Sequence, residues 1–115
     1  MALVAYPPPL AGHEVARPSW SKTSESVMVV EANLGWPSSS MNWDLWSLDP
    51  TNLAAAPTNL TSTASANEYH GSYSPDNSRI VFQTAGIGIE VMNAGGTGRH
   101  VISSSGLFPA WRRNP

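Results

Sequence analysis

The chain repeats itself. Pro18-Ser-Trp-Ser-Lys-Thr-Ser-Glu-Ser-Val-Met-Val-Val30 aligns with Gly71-Ser-Tyr-Ser-Pro-Asp-Asn-Ser-Arg-Ile-Val-Phe-Gln83, and a third start follows at Pro109-Ala-Trp111. Trp20, Tyr73 and Trp111 therefore hold one repeat position, at spacings of 53 and 38 residues. Self-similarity at such a period marks a stack of supersecondary units, none of which buries its apolar face alone. Ten prolines and nine glycines cut the 115 residues into short pieces. The apolar runs between them, Ser26–Glu31, Asp44–Leu48, Arg79–Gln83 and Ile87–Met92, are β-branched or aromatic and about five residues long, as strands are. The only helix-friendly piece, Leu53–Ala56, is stopped by Pro57. The chain reads as all-β.

Turn chemistry divides each unit into four strands, a to d. In the second unit, strand a is placed at Gly71–Ser74, b at Arg79–Gln83, c near Gly88–Met92 and d near Arg99–Ser103. Pro75-Asp-Asn77 makes the a–b turn: Pro presets its own φ, and Asp76 and Asn77 bond back to the main chain or visit the left-handed region. Asn93-Ala-Gly-Gly-Thr-Gly98 makes the c–d turn. In the first unit, b, c and d fall near Ser26–Glu31, Asp44–Leu48 and Asn59–Ser62. Strands b and c should be central. A loop around Leu34–Asn42 and a longer turn at Ala54–Pro57 account for the extra length of this unit.

Ser72-Tyr-Ser-Pro-Asp-Asn-Ser-Arg-Ile-Val-Phe82 and Glu90-Val-Met-Asn-Ala-Gly-Gly-Thr-Gly-Arg-His-Val-Ile102 resemble the hallmarks of TolB-like β-propellers, which are built from WD-repeat-like blades. Asp44-Leu-Trp-Ser-Leu-Asp-Pro50 and Asn59-Leu-Thr61 echo the second hallmark in the first unit. The likeness spans about Arg17 to Trp111. It implies a partial propeller of two four-stranded antiparallel blades with flanking strands of two more. The expected division is 1–16 for strand d of a preceding blade and its loop, 17–70 and 71–108 for two blades, and 109–115 for a following strand a. The resemblance also implies a non-catalytic scaffold for protein or ligand binding, periplasmic or extracytoplasmic by analogy. The alternative is part of the propeller of a prolyl-oligopeptidase-type serine hydrolase. Fold likeness of this kind specifies no function.

Two blades leave two apolar faces open. A ring of three copies would offer only a strand d and a strand a at each junction. The gap of about three strand spacings, roughly 14 Å, defeats hydrogen bonding. The expectation is a piece of a longer propeller, whose remaining blades are its first partners.

Composition narrows the other partners. Charged residues are only 12% of the chain, net charge is −2, and the six cations are scattered apart from Arg112-Arg113. Nucleic acid requires clustered cations to replace phosphate counterions, so it is excluded as a partner. Without cysteine there is no disulfide and no thiolate metal site. Met1–Pro9 lacks a cationic n-region, and its prolines break the apolar run, so no signal peptide is expected. No stretch approaches the roughly 20 apolar residues that insert into a bilayer. No Gly-x-Ser-x-Gly elbow or His-Glu-x-x-His pair is present, and Gly95-Gly-Thr-Gly98 lacks the P-loop lysine. Neither a catalytic residue nor a cofactor is expected.

The d–a connections and b–c hairpins should open on one face, carrying Gly12-His-Glu14, Asn67-Glu-Tyr-His70 and the loop around Trp36. Trp36, Glu68, Tyr69 and His70 are the binding candidates, since long loops with an exposed Trp often seat a partner. In the competing reading Trp36 and Trp43 only pin the loop. His13 and His70 each lie beside or near a Glu but lack further ligands, so no metal site is expected. Trp20, Tyr73 and Trp111 are assigned to the core between units, and Asp76 to its own turn.

Overall fold

A computed structural model describes residues 10, 14–22, 27–34, 41–52, 54–63 and 66–104. Leu3–Tyr6, His13, Trp36 and Trp111 lie outside the described residues.

Strands form where apolar side chains recur without a helical period. They are β1 (Glu14–Trp20), β2 (Met28–Asn33), β3 (Trp43–Leu48), β4 (Thr58–Asn59), β5 (Glu68–Tyr73), β6 (Arg79–Thr84), β7 (Gly88–Asn93) and β8 (His100–Ser103). They make two antiparallel four-stranded sheets in the orders β1-β2-β3-β4 and β5-β6-β7-β8. The expected fold class is met at this level: all-β, four strands to a unit, with the second and third strands central. All six residues of β2 are buried, so both faces of the first sheet are covered. That accounts for its near-continuous apolar sequence, Met-Val-Val-Glu-Ala-Asn.

The turns follow their chemistry. Asn77 takes φ 61° and donates its N–H to the Ser74 carbonyl at 2.9 Å. The Asp76 carboxylate accepts from the Ser78 N–H at 3.0 Å and from the Ser74 and Ser78 hydroxyls, both at 2.7 Å. These bonds, those from Ser78 first, hold its pKa down at about 2. In the β7–β8 turn Gly96 adopts φ 95°, and a Cβ there would meet the Leu60 carbonyl at 2.6 Å. Only glycine lets this turn rest on the first sheet. Strand β4 is shorter than the expected Asn59–Ser62. Asn59 Oδ1 accepts from the Thr61 and Ser62 N–H groups, turning the chain out of the ladder.

Two sequence expectations are corrected. Strand a was expected at Gly71 in the second unit, but β5 starts at Glu68, and β1 already at Glu14. Each carries a bulge, between Ala16 and Ser19 in β1 and between Tyr69 and Ser72 in β5. The other correction concerns register. Trp20 pairs with Met28, whereas Tyr73 pairs with Ile80. The a–b turn of the first unit is one residue longer, so Met28 and Val30, not Val27 and Val29, match Ile80 and Phe82. A one-residue shift moves a strand's side chains to the opposite face.

The corrected register fixes how the sheets stack. Tyr73, Ile80, Phe82 and Met92 of the second sheet pack on Val29, Leu45 and Leu60 of the first. Their equivalents in the first sheet, Trp20, Met28, Val30 and Leu48, lie on the face turned away, where Met28, Val30 and Leu48 join Leu10, Ala32 and Trp46 in a second cluster. Matching faces therefore do not meet, and the sheets stack head to tail. Tyr73 is 2% exposed at the junction, whereas Trp20 is 49% exposed on the outer face. Tyr73 thus lies in the core between the two sheets, whereas Trp20 lies on the face turned away from the second sheet.

Candidate functional site

The β2–β3 turn and the β4–β5 connection open at the same end of the stack, where the main-chain N–H of Trp43 donates to Asn67 Oδ1 at 2.9 Å. The bulges create this end. Arg17 (φ 48°) and His70 (φ 58°) occupy the same bulge position in β1 and β5. Left-handed geometry at a bulge re-aims the local side chain and N–H. Here both serve one buried carboxylate. Glu31, 1% exposed on central strand β2, receives the Arg17 guanidinium on Oε1 and the His70 N–H on Oε2 at 2.9 Å. Burial is tolerated because the charge is paired and hydrogen-bonded.

Beyond this carboxylate runs a row of rings. The Trp43 and Tyr69 centroids are 5.9 Å apart with planes tilted by 51°; those of Tyr69 and His70 are 6.2 Å apart, tilted by 48°. Such tilted contacts suit aromatic quadrupoles. Trp43 is buried, while Tyr69 and His70 are half-buried. Burial lowers the His70 pKa, against the upward pull of Glu31, so its imidazole is chiefly neutral at pH 7. Burial likewise raises the Tyr69 hydroxyl and keeps it protonated. At neutral pH the rings offer apolar faces and uncharged polar edges.

Glu68 points elsewhere. It is fully buried between the sheets, with Oε1 3.3 Å from Arg99 Nη1. Arg99 also reaches Glu90 through Nη2 at 2.7 Å and Nε at 3.3 Å, donates to the Thr63 hydroxyl at 2.7 Å, and lies 5.2 Å above the Phe82 ring. The Thr84 hydroxyl donates to Glu90 at 2.5 Å. Burial raises the Glu68 pKa, reinforced by Asp44, and its Oε2 is buried without a hydrogen-bond partner. For Glu90 burial also acts upward, but Arg99 and Thr84 outweigh it and the pKa falls. In the first sheet the corresponding positions are Val15, Ala32, Trp46 and Pro57, so an apolar set there becomes an ionic seam here.

Of the four binding candidates, the structure brings Tyr69 and His70 together, buries Glu68 in the seam, and Trp36 lies outside the described residues. Asp76 holds its own turn. His100 is exposed, its Nδ1 2.9 Å from the Gly98 carbonyl oxygen. Among the described residues no cluster of three metal-ligating side chains occurs, and no helix is long and apolar enough to cross a membrane. Sequence reasoning missed Arg17, Glu31 and Arg99. The available signal was Glu31 itself, a lone acid inside Val-Met-Val-Val-Glu-Ala, which announces a buried partner. No family model matches the chain. No curated protein matches it either, and what stands is an all-β chain of two four-stranded antiparallel sheets.

Proposed function

We propose that the two sheets are consecutive blades of a β-propeller, and that the chain is a non-catalytic scaffold which seats a protein partner on the end carrying Trp43, Tyr69 and His70. The head-to-tail stacking carries this reading. A duplication folded as a closed sandwich would bring matching faces together, whereas a propeller advances from one blade to the next by presenting opposite faces. The shared bulge at Arg17 and His70 and the central second and third strands agree with it. The binding end rests on chemistry. Large rings held by a buried carboxylate and a bulged strand lose little freedom on contact, which favours them as anchors.

Site-specific photocrosslinking in the cells of origin tests this. A benzophenone amino acid at Tyr69 yields discrete protein adducts that Trp43→Ala weakens, and the same probe at exposed Ala55, at the opposite end, yields none. Equal labelling from both ends contradicts the reading.

A further inference from the structure

The seam between the sheets is short of positive charge. Asp44, Glu68 and Glu90 are 2%, 0% and 5% exposed, and among the described residues Arg99 is the only cation in ion-pair contact with them. Arg99 directs most of its guanidinium at Glu90, through Nη2 at 2.7 Å and Nε at 3.3 Å. It meets Glu68 only through Nη1 at 3.3 Å. The hydrogen bonds show where a proton fits. Asp44 Oδ1 accepts from the Thr61 hydroxyl and the Thr63 N–H, both at 3.0 Å, and Oδ2 accepts from Asn59 Nδ2 at 3.2 Å. Both Glu90 oxygens accept from Arg99, and Oε2 also from Thr84. Of the six oxygens on these three acids, Glu68 Oε2 alone has no donor, and it is buried. A buried anionic oxygen without a donor costs more than a buried hydroxyl. Burial first, then the like charge of Asp44, raises the Glu68 pKa against the pull of Thr63 and Arg99.

The two acids stand behind two rings. Asp44 follows Trp43 in β3, Glu68 precedes Tyr69 in β5, and these rings meet at 5.9 Å. Thr63 ties the acids together: its N–H is on Asp44, and its hydroxyl lies 2.7 Å from the Arg99 Nη1 that serves Glu68. Because β3 and β5 belong to different sheets, repulsion between Asp44 and Glu68 acts on the junction that brings Trp43 to Tyr69. We propose that one proton bound at Glu68 Oε2 controls the Trp43–Tyr69 contact, the rings closing when it is held and separating when it leaves. The closed contact is then complete below 4.5 and is lost as pH rises through the folded pKa of Glu68. That this regulates a partner rests on the binding reading given above; the ring contact itself does not.

Other titratable groups lie close by. Glu31, Arg17 and His70 flank Tyr69, and the exposed His100 acts on Glu90. His70, lowered from 6.5 by burial, is the one to separate from Glu68. NMR separates them in one titration of the full chain, from about pH 3 to about pH 8. The Glu68 carboxyl carbon, assigned through its own side-chain methylenes, is expected to inflect above 4.5. The Trp43–Tyr69 ring NOE loses most of its intensity with that same midpoint. In Glu68→Gln, which stays neutral, the NOE persists at every pH. An NOE that ignores pH, that follows the His70 ring midpoint, or whose loss survives in Glu68→Gln overturns the switch. The wild-type titration reads the first two of these without any variant. Absence of protein adducts at Tyr69 contradicts the binding reading and leaves the switch standing, so the two tests fail independently.

Discussion

Arg17 and His70 stand 53 residues apart and hold the same left-handed conformation, φ 48° and 58°, at the same bulge of equivalent strands, and both reach the carboxylate of Glu31. Neither is glycine. A non-glycine residue in this region costs about 1–3 kcal/mol and persists where surrounding structure repays it. Here the return is a buried carboxylate satisfied from two sheets at once.

The bulge predicts a substitution pattern. His70→Val, β-branched at positive φ, lowers stability by about 1–3 kcal/mol, while His70→Asn, which tolerates the left-handed region, costs clearly less. Urea denaturation of the two variants checks this; equal losses contradict it.

Much of the fold was legible because its signals are local. The repeat marked the two units, and prolines, glycines and the Asp76-Asn77 turn marked the strand ends that divide each into four. What escaped depends on contacts between sheets. The extra residue in the first a–b turn leaves no mark in sequence, yet it reverses which side chains of β2 face the second sheet. Glu68 reads as an exposed loop acid because its burial follows from Arg99, distant in sequence and set across the seam. Arg17 and His70 gave no warning of positive φ, since the usual cue is glycine or asparagine. Tyr69 and His70 were found because they flank a predicted connection; Trp43 joins them only through the way the sheets stack.

The ionic seam should be costly to break and cheap to replace. Arg99→Ala leaves Glu68 and Glu90 without their common partner and destabilises by about 3–5 kcal/mol, and Arg99→Lys recovers little because one ammonium cannot serve both carboxylates and Thr63. The triple change Glu68→Val, Glu90→Leu, Arg99→Met, which imitates the apolar set of the first sheet, restores most of the loss. Thermal unfolding of the three variants orders them; a triple variant as unstable as Arg99→Ala contradicts the account.

The two acids of the seam titrate in opposite senses. Glu90 is lowered from the ordinary 4.5, so its stabilisation is present above that value and is lost as pH falls through its folded pKa. Glu68 is raised from the same value, so the folded state favours its neutral form; that contribution is present below 4.5 and lost as pH rises through the folded pKa. Glu90→Gln therefore lowers the melting temperature at pH 7 by a few degrees, and the difference closes in strong acid. Glu68→Gln holds or raises it at pH 7, and the gain closes toward pH 4. The same sign for both variants at pH 7 contradicts the assignment.

Asp76 offers a local check on the β5–β6 turn. Its hydrogen bonds to Ser78 and Ser74 hold the carboxyl down at about 2, so an NMR titration is expected to find it well below 3.8, and Ser74→Ala with Ser78→Ala to move the midpoint up toward 3.8, because the hydroxyl bonds that favour the ionised form are gone. An unmoved midpoint means the hydroxyls do not hold it.

The head-to-tail stacking of the two sheets is tested most directly by methyl–aromatic NOEs in the isotope-labelled chain at a concentration where it is monomeric. Cross-peaks are predicted from the Tyr73 and Phe82 rings to the methyl groups of Val29 and Leu45, with none from the Trp20 indole to Ile80 or Met92. Cross-peaks from Trp20 to Ile80 and Met92 would mean that matching faces meet, and would contradict both the stacking and the propeller reading built on it.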